Sequence, residues 1–126
     1  MTLNDYQNAA METCMESCNN FSYMMLNLVG EVGEFASKAA KAIRKEQAAI
    51  GIYEETNEYI YTTKPAYEDA VKIDNAMMQE AGDILWQLAG LCRVMNWDLE
   101  EVAKLNLKKL ASRKERGVID GNGDER

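Results

Sequence analysis

Histidine is absent from the 126 residues, and the three cysteines, Cys14, Cys18 and Cys92, show no metal-ligand spacing. A zinc centre would need ligands that this chain does not have. The odd cysteine count and the lack of a signal peptide lead us to expect reduced thiols in a cytoplasmic protein. Proline occurs once, at Pro65, and helix-favouring runs are long, so an all-α fold is expected. No apolar run reaches the roughly 18 residues that a membrane span needs. Basic residues are also scarce, 14 against 21 acidic ones, for a net charge of −7. That balance argues against nucleic acid or an anionic membrane as the main partner. An anionic small molecule remains welcome if a cation comes between.

What is present is helical periodicity. The length suits one domain, residues 1–126. Thr2 and Asp5 resemble a capping pair and open a first helix to about Ser17. A second helix runs from Asn19 or Asn20 to about Lys45, with Met25, Leu28, Val32, Phe35, Ala36, Ala39 and Ile43 as its apolar stripe. Residues 46–64 break the period, and "IGIYEETNEYIYTT" suits either a short hairpin around "EETN" or a helical extension. Pro65 suits the first turn of a third helix reaching about Asn96. The near-continuous apolar residues of that helix, from Met77 to Met95, make it central. Asp98 and Glu101 form an N-cap pair for a fourth helix, and Gly117 stops it near Arg116. The expected architecture is a four-helix bundle with a short irregular or hairpin insertion between helices 2 and 3.

Set within these apolar helices are carboxylates. "GEVGEF" places Glu31 and Glu34, and "EAGDILW" places Glu80 and Asp83, each pair at i, i+3 on one helix face. Buried carboxylates without a counter-charge cost several kcal/mol each, on the order of what a real interior exacts after relaxation. No Lys or Arg lies inside either apolar stretch; Lys38 is one turn beyond Glu34. Four oxygen donors without sulfur or imidazole select a hard cation, Mg²⁺ before Mn²⁺ or Ca²⁺. Gly30, Gly33 and Gly82 are expected to let the helices approach closely and to leave room for ions. An amide in an apolar helix needs a partner, which makes Gln87 a candidate for contact with a ligand.

The two acidic motifs, about fifty residues apart, resemble the E-x-x-E … E-x-x-D signature of MazG-like nucleotide pyrophosphohydrolases, in the all-α NTP pyrophosphatase superfamily. The resemblance extends to "TLNDYQNAA" and "NLKKLASRKERGVIDGNGDER" and omits residues 46–64. It implies Mg²⁺-dependent cleavage of nucleoside triphosphates, deoxynucleotides in particular, to the monophosphate and pyrophosphate. It also implies Glu31, Glu34, Glu80 and Asp83 as metal ligands, and a homodimer or homotetramer. Within that mechanism Glu34 is our choice of general base. Asn106, Lys109 and Arg113 recur at i, i+3, i+7 on the basic fourth helix. Their N-x-x-K-x-x-x-R pattern resembles the family's phosphate- and sugar-binding element. Lys104, Lys108 and Lys114 read as a solvated basic surface. Two other readings stand beside this one: a narrower dUTP- or dCTP-specific enzyme, and a non-catalytic helical module for nucleotide sensing or assembly. The presence of all four acidic residues weighs against the module.

Overall fold

The computed structural model describes residues 1–45, 49–53, 59–60 and 66–123. Among the described residues are four α-helices: α1 (Leu3–Met11), α2 (Phe21–Arg44), α3 (Ala66–Val94) and α4 (Leu99–Glu115). Between α2 and α3, β1 (Ala49–Tyr53) pairs antiparallel with β2 (Tyr59–Ile60) in an irregular register. The fold class is all-α, and the hairpin alternative describes the insertion. The "EETN" turn and Pro65 lie outside the described residues. No helix among the described residues is long and apolar enough to cross a membrane. The described chain forms two compact units, one from Met1–Phe21 and Ala89–Arg126, the other from Ser22–Leu88.

In the first unit, α1 starts as the sequence indicates. Thr2 and Asp5 form a reciprocal capping box, with Asp5 N donating to Thr2 Oγ1 and Thr2 N donating to Asp5 Oδ2. The helix ends at Met11, six residues short of Ser17. Thr13 Oγ1 donates to the Ala10 carbonyl at 2.7 Å, a local bond that competes with continued helix. A short 3-10 turn follows at Glu16–Cys18. The core here is Ala89, Cys92 and Leu99, with Tyr6, Met11 and Val102 packed against it.

The start of α4 departs from expectation. Asp98 occupies the N-cap position, but its side chain makes no capping hydrogen bond. The exposed helix amides are satisfied from α1 instead. Leu99 N donates to Gln7 Oε1 at 3.0 Å, and Glu100 N donates to Asn4 Oδ1 at 3.1 Å. Gln7 is almost fully buried, and its Nε2 also donates to the carbonyls of Ala89 and Trp97. One amide side chain thus ties the end of α3 to the start of α4.

Both turns at the ends of these helices are Schellman motifs. After α3, Asn96 takes a φ of 58°, with Trp97 N bonded to Cys92 O and Asn96 N to Arg93 O. After α4, Gly117 takes a φ of 67°, with Val118 N bonded to Arg113 O and Gly117 N to Lys114 O. The Gly117 stop is where the sequence puts it, because only glycine adopts that conformation at no steric cost.

In the second unit, the inward row of α2 reads Met24, Leu28, Glu31, Phe35, Ala39 and Ala42, at spacings of three and four. Val32 and Ile43, expected in the stripe, are exposed because they sit one edge away from this row. On α3 the matching row is Ile73, Met77, Glu80, Ile84 and Gln87. Met78, Leu85 and Leu88 are exposed, so α3 buries one side rather than its full circumference.

Candidate functional site

Glu31 and Glu80 take places in these rows that apolar residues would otherwise fill. Phe35 lies one turn beyond Glu31, and Met77 and Ile84 flank Glu80. Asp83, three residues after Glu80, projects beside it from an exposed position. The result brings helices α2 and α3 together at their acids. One carboxylate oxygen from each of Glu31, Glu80 and Asp83 lies within 4.8 Å of the others. Glu34 is exposed at the edge of this cluster, where its charge acts on Glu31.

The electrostatics follow from the crowding. Partial burial raises the Glu31 carboxyl above its ordinary value, and the charges of Glu34 and Asp83 raise it further. Asn27 Nδ2 donates to Glu31 Oε1 at 3.1 Å and offsets part of this. Lys38 forms an ion pair with Glu80 Oε1. That hydrogen bond raises the lysine above its ordinary value, with Glu80, Glu34 and Asp83 adding their charge. The other oxygen, Glu80 Oε2, is buried with no hydrogen-bond partner among the described residues. An all-oxygen donor set with a buried, unsatisfied lone pair fits a hard divalent cation.

The glycines do not act as the sequence reading expects. A Cβ at Gly33 or Gly82 would meet nothing within 4 Å among the described residues, and at Gly30 only Asn27 of the same helix. All three sit on the exposed side of their helices, so close helix approach is not their purpose.

Gln87 is 3% exposed, two turns along from Glu80 on the same row, and its Oε1 has no partner among the described residues. On α4, Asn106 and Lys109 line an open concavity of about 620 Å³ together with Trp97, Val102 and Leu105. Arg113 is buried and does not line it, although sequence spacing puts it on the same face. Trp97 escaped the sequence reading because it lies in the turn between helices, outside any periodic pattern; its exposure of 51% is a signal only a structure carries.

A sequence model of the MazG nucleotide pyrophosphohydrolase domain matches residues 19–118. The gene 37 protein of Mycobacterium phage L5 is 34% identical over an alignment of 133 positions that spans 100% of both chains. No solved structure matches the chain significantly.

Proposed function

The chain belongs to the MazG nucleotide pyrophosphohydrolase domain family, and on that premise we propose that it hydrolyses nucleoside triphosphates, deoxynucleoside triphosphates in particular, to the monophosphate and pyrophosphate. The observation that carries this reading is the meeting of one carboxylate oxygen from each of Glu31, Glu80 and Asp83 within 4.8 Å, with Glu80 Oε2 buried and without a hydrogen-bond partner among the described residues. These residues, with Glu34 at their edge, are assigned to hold Mg²⁺, with Mn²⁺ as a substitute. When bound, the cation supplies positive charge to the polyphosphate and acidifies a water. Glu34, exposed and unburdened by packing, is assigned to orient the attacking water and accept its proton.

Asn106 and Lys109, which line the α4 concavity, are assigned to the phosphates, Lys109 as a point charge and Asn106 as an amide donor, while the buried Arg113 is left without a phosphate role. Gln87 is assigned to the base, since its buried Oε1 offers an acceptor to an exocyclic amine. Leu26, Val29 and Val32 lie exposed at three-residue spacing on α2, which supports assembly into a homodimer or homotetramer. Three free thiols suit a cytoplasmic protein.

Hydrolysis in ¹⁸O-labelled water with Mg²⁺ and a dNTP tests the reaction class. Label is expected in the monophosphate, with pyrophosphate as the intact leaving group. Accumulation of the diphosphate with orthophosphate would overturn the reading. The α4 assignment has its own test. Lys109→Ala is expected to lower kcat/KM at least tenfold, because a charge-assisted bond to phosphate contributes about 1.5–3 kcal/mol. Lys114→Ala is expected to change it little, and equal losses would reduce the helix to a diffuse positive field.

A further inference from the structure

In the sequence Lys38 stands outside both acidic pairs, yet in the structure its ammonium reaches into their cluster and pairs with Glu80. We propose that Lys38 is a displaceable counter-ion, holding Glu80 in the metal-free protein and yielding it when a divalent cation binds. The inference rests on the assignment of Glu31, Glu80 and Asp83 to a cation, and deepens it.

Three features separate this from an ordinary ion pair between helices. First, the partners are unequally buried. The Glu80 side chain is 9% exposed and needs a positive partner, whereas Lys38 is 43% exposed and can leave for water along its flexible stem. Second, the contact is single. The ammonium takes Oε1 and leaves Oε2 buried and unsatisfied, where a guanidinium fork would engage both oxygens. Half of the carboxylate therefore stays ready for another ligand. Third, Lys38 is held by more than Glu80, since the charges of Glu34 and Asp83 also act on it. A divalent cation among those acids would reverse the field that holds the ammonium in place. Lysine and metal then compete for one charge deficit, and the lysine lowers the apparent affinity for the metal.

The test is titration of Mn²⁺ alone, without nucleotide, into the full-length protein and into Lys38→Met and Lys38→Gln at pH 8. Calorimetry gives the affinity, and circular dichroism checks that each variant keeps its helix content. Both variants are expected to bind Mn²⁺ at least tenfold more tightly than the parent, and to melt lower than the parent in chelator. Equal or weaker Mn²⁺ binding by a folded variant overturns the counter-ion role while leaving the cation site standing. Absence of Mn²⁺ binding in the parent and both variants overturns the cation site itself, and the counter-ion role with it.

Discussion

Asp83→Asn is expected to lower turnover about a thousandfold while leaving the helices folded. Asp83 contributes a full negative charge to a cluster whose ligand oxygens lie within 4.8 Å of one another. Removing that charge beside a catalytic cation costs several kcal/mol of transition-state stabilisation, and about 4 kcal/mol corresponds to three powers of ten. Glu34→Gln is expected to act as strongly, through loss of the water-orienting base. Steady-state pyrophosphate release measures both, and turnover within threefold of the parent would sink the assignment. The same Asp83 variant carries a second signature. In chelator its melting temperature should rise, because Asp83 is one of the charges that raise the Glu31 carboxyl. A carboxyl raised in the fold holds its proton more tightly folded than unfolded. Metal-free stability therefore falls as pH climbs from the ordinary carboxyl value through the raised Glu31 value. Asp83→Asn should flatten that fall, whereas a change that merely damaged packing would lower the whole profile.

The second large effect belongs to a residue given no part in the chemistry. Gln7→Leu keeps the volume of the side chain but removes three hydrogen bonds, to Ala89 O, Trp97 O and Leu99 N. Leu99 N is a helix-start amide with no carbonyl of its own helix to bond, and its residue is buried. Leaving such groups unsatisfied is expected to cost about 2–4 kcal/mol. Urea unfolding should show a lower midpoint with an unchanged slope, since the surface exposed on unfolding stays the same. Hydrogen exchange should quicken first at Leu99, Glu100 and Glu101. A loss below about 1 kcal/mol would mean that water replaces the amide, against its near-complete burial.

These two sites also show what could be read in the sequence. The acidic pairs were legible because i, i+3 spacing is local, and an acid inside an apolar row is conspicuous wherever the partner helix lies. The Thr2–Asp5 box and the Gly117 stop were legible for the same reason: each is complete within a few residues. The capping of α4 was not. Asp98 and Glu101 have the right composition, but the oxygens that serve α4 come from Asn4 and Gln7, 96 and 92 residues earlier in the chain. Lys38 was hidden in the same way, since its partner lies 42 residues away. The glycines misled because glycine signals close approach and open surface alike, and only neighbours distinguish them. Arg113 shares a helical face with Lys109 by spacing, yet ends buried, because a stripe of charge on a wheel does not state which part of it is covered.

The Gln7 contacts also set an order of events during synthesis. Gln7 and its partner Ala89 are separated by 82 residues, which at about 5–20 residues per second take roughly 4–16 s to emerge. The Ser22–Leu88 unit is one continuous stretch of chain, while the other unit is assembled from the two flanking pieces. With nine residues, α1 is shorter than the roughly 12–15 that an isolated helix needs to persist in water. It is therefore expected to stay loose chain until residues 89–99 are made to receive it, so that a segment synthesised before the Ser22–Leu88 unit docks only after that unit is complete.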